Sequence, residues 1–347
     1  MRIHGGRGEE GVDFSVNLNP LGPPEGSYEV VERCIKSGVL ERYPDYNYEK
    51  LKRAISSFYG CREEDIVPTS GAGEAINLAI FALKPKWIYV LEPSYGEYEV
   101  LSKALGISYK PVFYRKSGDV FSLNFSDLEE ACGREDSLIV ITNPSNPLGI
   151  YIEREEIIEK LSRCRARVLM DEAYSELCSR CAIELGSGIP ENFLLVRSMT
   201  KWLSLPGIRL GFLFSSSREV LEKIDAVRQP WNVGSLADCF ARELLSRKDE
   251  AREFIMRSRR YIEGERKRML NELKSLGLKP YDSSANFILV ESPRGLDLSF
   301  LLKGEGIHVR SCASFKGLGS SFIRIGIRKP HEDDELINAL KRVIENE

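Results

Sequence analysis

The chain has 347 residues, more than the roughly 250–300 at which a single core stops growing, so two lobes are expected. Hydrophobic residues make up 42% and charged residues 29%, the balance of an ordinary soluble globular protein. A formal net charge of -3 gives no footprint for nucleic acid, no apolar run nears the ~20 residues of a membrane span, and the N-terminus lacks an apolar signal core, so a cytoplasmic protein is expected.

Residues 1–25 are rich in Gly, Asn and Pro and read as an extended arm. Residues 27–38 and 48–59 read as helices, with the turn-like RYPDYN between them. From about residue 65 short apolar runs alternate with amphipathic segments. WIYVLEP (87–93), SLIVITNP (137–144), ARVLMDEAY (166–174), NFLLVRS (192–198) and LGFLFSS (210–216) are the strands. EAINLAIFAL, GEYEVLSKALG and REEIIEKLSRC are the helices between them. The pattern predicts an α/β fold: a large domain (26–232) with a mostly parallel sheet covered by helices on both faces. After Pro230 it changes. Two charged helices (234–276), three strands (NFILVES, GIHVR, FIRIGIR) and a closing helix from 332 predict a smaller α+β domain over 233–347, joined by part of the N-terminal segment.

Of the eight cysteines only Cys178 and Cys181 form a C-x-x-C. With no second pair and the three histidines distant, reduced structural thiols are expected and no metal site, a 178–181 disulfide being the alternative.

Ligands of open α/β sheets bind at the carboxyl ends of the strands, and four stretches fall there. TSGAGEAI (69–76) is a Gly-rich turn into a helix, whose free N–H groups suit a phosphate. It is not a dinucleotide fingerprint, since the third glycine is missing and no strand clearly precedes it. TNPSNPLG (142–149) is a turn that could present the Asn146 amide. In MDEAYSE (170–176), Asp171 ends an apolar strand and either caps a helix or must find a cationic or N–H partner. In SMTKWLSLPGIRLGF (198–212), Lys201 follows a strand among small residues, where an amine partly removed from water becomes a nucleophile towards carbonyls. Thr200 and Arg209 can hold a dianion beside it. A phosphate cradle, a carboxylate, phenol and amide donors and an amine together are what a pyridoxal 5'-phosphate (PLP) site needs.

The order SGAGEA, EPSYGEY, NPSNPLG, MDEAY and S-x-T-K with an arginine eight residues on resembles the fold type I PLP enzymes, and within them the histidinol-phosphate aminotransferase branch. The resemblance spans nearly the whole chain. It implies that Lys201 is the lysine that bonds to PLP and moves protons at the substrate Cα. It makes Asp171 the acid facing the pyridine nitrogen, Asn146 and Tyr174 donors to the ring O3′, and Tyr95 the stacking aromatic. The Ala72 and Gly73 backbone, Ser198, Thr200 and Arg209 form the phosphate cup. Tyr43 reaches the phosphate of a neighbouring subunit, implying a homodimer with shared sites, and Arg324 grips the substrate carboxylate. The chain departs from the pattern at Leu148, where the family commonly has threonine.

The two ends narrow the resemblance. HGGRGEEGVDFSVNLNPLGPP and GIHVRSCASFKGLGSSFIRIGIRKPHED are similar to segments of L-threonine-O-3-phosphate decarboxylases. That implies substrate roles for His4, Asn17, Asn19, Arg310 and Arg324, and loss of CO2 from threonine phosphate to give (R)-1-amino-2-propanol phosphate for the cobalamin nucleotide loop. Histidinol-phosphate or related aminotransferase activity is the alternative. A non-catalytic PLP-binding module, as in some transcription regulators, would carry an N-terminal winged helix.

Overall fold

Runs of Val, Ile and Leu bounded by Gly, Pro and Asn become the central sheet of the computed structural model, which describes residues 5–6, 11–293 and 295–345. Seven strands lie in the order Ile66–Thr69, Gly211–Phe214, Phe193–Ser198, Arg167–Asp171, Ser137–Thr142, Trp87–Glu92 and Ser108–Phe113. All pair parallel except Gly211–Phe214, which is antiparallel to both neighbours. The strands Ser137–Thr142 and Phe193–Ser198 are buried along their whole length because helices cover both faces. The large, mostly parallel sheet is the one the sequence predicted.

One strand escaped the sequence reading. Ile66–Thr69 does precede the Gly-rich turn. It has four residues and contains Pro68, which hides its pattern; as an edge strand paired only to Gly211–Phe214 it tolerates the proline. The predicted strand GIHVR divides in two: Ile307–His308 pairs parallel with the arm at Val12–Asp13, and Arg310–Ser311 joins a second, four-stranded sheet beside Phe322–Gly326.

The expected boundary at 233 does not separate the cores. The helix Ser235–Ser246 and the first half of Lys248–Ser275 pack into the same core as Ile55, Phe58 and Trp202. Met269 and Leu273, near the end of that helix, enter a second core with Ile288, Ile323 and Phe14. Phe14 belongs to the arm, so the arm packs with the second lobe.

The reduced-thiol expectation fails. Cys34–Cys239, Cys132–Cys164 and Cys178–Cys181 are disulfides, and Cys61 and Cys312 are free. The first pair is separated by 205 residues; only the packing of Ser27–Lys36 against Ser235–Ser246 brings it together. Among the described residues no helix is long and apolar enough to cross a membrane.

Beneath the sheet's carboxyl edge lies a buried ion network. Arg197 donates to Glu172 at 2.8 Å and to Glu176 at 2.9 Å, and Arg154 donates to Glu172 at 2.9 Å. Burial pushes the Glu172 carboxyl up, but Arg197 and Arg154 outweigh it and hold it below its ordinary value. Arg197→Met should cost about 3–5 kcal/mol, because it leaves two buried carboxylates short of a partner. Urea unfolding measures this; an unchanged midpoint would contradict it.

Candidate active site

Strand register assembles the site. Thr142 lies opposite Asp171, Asp171 opposite Val196, and Gly211 opposite both Ser198 and Thr69. The strands therefore deliver Thr142, Asp171 and Ser198 to one edge, where a cleft of about 470 Å³ opens. Ala72, Gly73, Tyr95, Asn146, Asp171, Tyr174, Ser198, Thr200, Lys201 and Arg209 line it, with Asn17, Arg310 and Arg324 from the arm and second lobe.

The Lys201 stretch is a five-residue helix, Met199–Leu203. Met199, Trp202 and Leu203 share the i, i+3, i+4 face and are fully buried. Trp202 stacks on Phe58 with ring centroids 6.0 Å apart. That anchor leaves Thr200 and Lys201 on the cleft side, where Lys201 Nζ sits 5.7 Å from the centre of the Tyr174 ring.

The anion cup depends on glycine. Arg209 adopts a left-handed backbone (φ 52°), a strained conformation for a non-glycine residue of the kind that collects at functional sites. Its guanidinium crosses the turn at Gly71 and donates to Ser70 O at 3.4 Å. A Cβ on Gly71 would lie 2.7 Å from Arg209 Nη2, and one on Gly211 would lie 2.9 Å from Ala72 N. The helix Ala72–Leu83 begins there. Its first N–H groups have no intrahelical acceptor, and a Cβ on Gly73 would meet open space.

Asp171 is 5% exposed. It accepts from Tyr98 Oη at 2.6 Å and from the Ala173 N–H at 3.0 Å. Among the described residues it forms no ion pair. Burial pushes its carboxyl up, and the Tyr98 and Ala173 hydrogen bonds only partly oppose this. A buried carboxylate of this kind suits a partner that brings a proton or a positive charge, as a pyridine nitrogen does. Carboxylate, amine and anion cup together fit PLP.

Arg324 joins arm, loop and second lobe. Its Nη1 donates to Asn146 Oδ1 at 2.5 Å and its Nη2 to Ser15 O at 2.7 Å, over the Phe287 ring. With its amide oxygen towards Arg324, Asn17 accepts from Nη1 at 3.1 Å; the same amide meets Tyr174 Oη at 3.4 Å. Arg310 is the cross-strand neighbour of Arg324 and donates to Ser314 Oγ at 2.8 Å. Leu148, at the departure from the family pattern, is buried in the first core.

Three candidates stand apart. Asn19 is 3% exposed and lies outside the cleft wall, holding the backbone behind Lys201. Tyr43 is 77% exposed and stacks on Trp231 with centroids 4.3 Å apart, away from the cleft of its own chain. His4 lies outside the described residues; Gly5 lines the cleft.

Tyr98 and Thr142 were missed. Tyr98 Oη bonds both Asp171 and Thr142 Oγ1. The motif EPSYGEY offered two tyrosines, and only the packing of its helix on the sheet shows that the second one reaches Asp171.

The family model for class I and II aminotransferases matches residues 9–343. A protein of Caldanaerobacter subterraneus subsp. tengcongensis, named "Putative threonine-phosphate decarboxylase", is 34% identical over 95% of this chain and 89% of its own. A histidinol-phosphate aminotransferase of Thermoanaerobacter sp. is 31% identical over 95% of this chain and 92% of its own. The crystal structure of the histidinol-phosphate aminotransferase from Clostridium acetobutylicum superposes with a TM-score of 0.86 at 30% identity, covering 97% of this chain and 100% of that one. A buried acid, an amine and a glycine-built anion cup on one sheet edge are thus accompanied by likeness along almost the whole sequence, and the chain belongs to the class I and II aminotransferase family, fold type I enzymes whose cofactor is pyridoxal 5'-phosphate.

Proposed function

We propose that the protein decarboxylates L-threonine O-3-phosphate, giving (R)-1-amino-2-propanol phosphate and CO2. The observation that carries this reading is the arm. The segment whose sequence is similar to the decarboxylases runs along the cleft wall at Gly5, Ser15, Val16 and Asn17, bonded to Arg324 through Ser15. The relative at 34% identity supports it.

Bound PLP supplies a sink for the electron pair released when a bond at the substrate Cα breaks. The chain's own residues do the rest. Asp171, oriented by Tyr98 and Ala173, holds the proton on the pyridine nitrogen. Asn146 and Tyr174 would donate to O3′, and Tyr95 would cover the ring. Ser198, Thr200, Arg209 and the N–H groups of Ala72 and Gly73 would hold the cofactor phosphate. Arg324 takes the substrate carboxylate in a bidentate grip that lysine does not match, and Arg310 adds positive charge for the substrate phosphate. Which bond breaks depends on the orientation these groups impose, and a shift of about an ångström changes rates about a hundredfold. As CO2 leaves, Lys201 delivers a proton to Cα. Tyr43, exposed beside Trp231, is assigned to a second copy's phosphate cup in a homodimer.

The alternative is histidinol-phosphate aminotransferase activity, favoured by the relative at 31% and the solved structure at 30% identity. Each substrate is offered to the holoenzyme in turn: threonine phosphate alone, and histidinol phosphate with 2-oxoglutarate. The proposal expects kcat/KM for the first to exceed the second by about 10⁴-fold, the scale of discrimination by a site built around its substrate's polar groups. Glutamate formation with no aminopropanol phosphate would overturn it. His4→Ala should raise KM for threonine phosphate with the cofactor's visible band unchanged; an unaltered KM removes His4 from the site.

A further inference from the structure

Asn19 was expected at the substrate, and its surroundings give it different work. Every polar group it carries is engaged. Its N–H donates to the carbonyl of Lys201 at 3.0 Å, and its Nδ2 donates to the carbonyl of Trp202 at 3.0 Å and to Ser258 Oγ at 2.8 Å. Its Oδ1 accepts from the Leu21 N–H at 3.1 Å, and its carbonyl accepts from Ser204 Oγ at 3.2 Å and the Gly22 N–H at 3.0 Å.

The need for such a partner follows from the shape of the Lys201 helix. It has five residues and stops at Ser204, whose backbone is left-handed at φ 50°. A helix that short leaves most of its last carbonyls without acceptor duty inside it. Lys201 O receives only a 3.4 Å bond from the Ser204 N–H within its own segment. Asn19 supplies closer donors for both Lys201 and Trp202. Through Ser258, which donates on to Phe254 O at 2.8 Å, it also fixes the turn to the helix Lys248–Ser275. Two residues before Asn19, the same stretch of the arm meets Tyr174 and Arg324 through Asn17.

We infer that Asn19 is a positioning residue for Lys201: it closes the end of the lysine's helix from the arm, and so sets the backbone from which Nζ reaches cofactor and substrate. The arm thereby holds the carboxylate grip at Arg324 and the amine at Lys201 in one register. This inference rests on the reading of Lys201 as the cofactor's attachment point.

The test uses the PLP-loaded protein and two variants. Asn19→Ala removes the side-chain amide, with its bonds to Trp202, Ser258 and Leu21, and leaves the main-chain bond to Lys201 O in place. Asn19→Ser keeps an oxygen able to serve the Leu21 turn, since serine forms the same kind of local turn as asparagine, but it has no Nδ2 to donate to Trp202. Three quantities are read: the pH midpoint of the visible band of lysine-linked PLP, kcat and KM for threonine phosphate, and the melting transition of the cofactor-free protein. Positioning predicts a shifted midpoint and a kcat about 10²-fold lower, the cost of a small misplacement of a reacting group, with KM changed little. Where Asn19→Ala does not fold, Asn19→Ser is read alone against the same expectations. Folded variants with wild-type midpoint and kcat would overturn the inference, and so would a lowered melting temperature with the midpoint unmoved. A wild-type protein that shows no visible band when loaded with PLP would instead defeat the assignment of Lys201 on which the inference stands.

Discussion

Replacing Lys201 with alanine removes the visible absorption band of the PLP-loaded protein and lowers turnover by roughly 10⁶-fold, the scale on which loss of a covalent catalyst is felt. The fold explains why the loss should be confined to chemistry. Met199, Trp202 and Leu203 anchor the lysine's helix in the first core, while Lys201 points to the cleft and carries no core packing. The variant should therefore melt near the wild-type temperature without cofactor. Its Asp171, Thr200 and Arg209 remain in place, so PLP still binds, without a covalent link. A variant that keeps the band, or that loses less than about tenfold in turnover, contradicts the assignment.

Asp171→Asn should lower turnover by about 10³-fold, comparable with removing a preorganised electrostatic stabiliser, and yet leave the cofactor-free protein at least as stable at neutral pH. The second half follows from linkage. The Asp171 carboxyl is pushed above its ordinary value, chiefly by burial. The folded state therefore holds this proton more tightly than the unfolded chain does. Below the ordinary aspartate pKa of about 3.9 the group costs the fold nothing. As pH rises through that value and up to the raised one, the folded state is penalised, and the penalty persists at neutral pH. Asparagine removes it: its one oxygen still accepts from the Ala173 N–H, and its NH2, in place of Oδ2, donates to the Tyr98 hydroxyl oxygen, whose proton turns to Thr142 Oγ1. Melting the cofactor-free protein from pH 4 to 8 tests this: the wild type should lose stability relative to the variant as pH rises. A cofactor-free variant that is less stable than wild type at pH 7, or a holoenzyme within about tenfold of wild-type turnover, would contradict the account.

Most of the cleft was legible because its residues sit at strand ends, where a short apolar run followed by Asn, Asp or a hydroxyl marks both the strand and the group it delivers. Asp171 and Ser198 are examples. Tyr98 was not legible, since its phenol acts through a helix packed on the sheet and not through its own strand. The strand Ile66–Thr69 was hidden by its proline. Asn19 shows the opposite error: its motif pointed to the right region, but an asparagine amide serves a substrate or a backbone equally well, and only the fold shows that it faces the carbonyls behind Lys201. The pairing of Cys34 with Cys239 depends on a helix contact across the whole chain and leaves no trace in cysteine spacing.

Reaction choice is the central claim, and the fate of one carbon decides it. L-threonine O-3-phosphate labelled with ¹³C at its carboxyl carbon is incubated with the PLP-loaded protein and 2-oxoglutarate, and the labelled carbon is followed by NMR. Decarboxylation predicts that the label leaves as CO2 and bicarbonate while unlabelled aminopropanol phosphate accumulates. Label that stays attached to a 2-oxo acid, with glutamate formed in equal amount, would show that the proton and not the carboxylate leaves Cα, and would contradict the account.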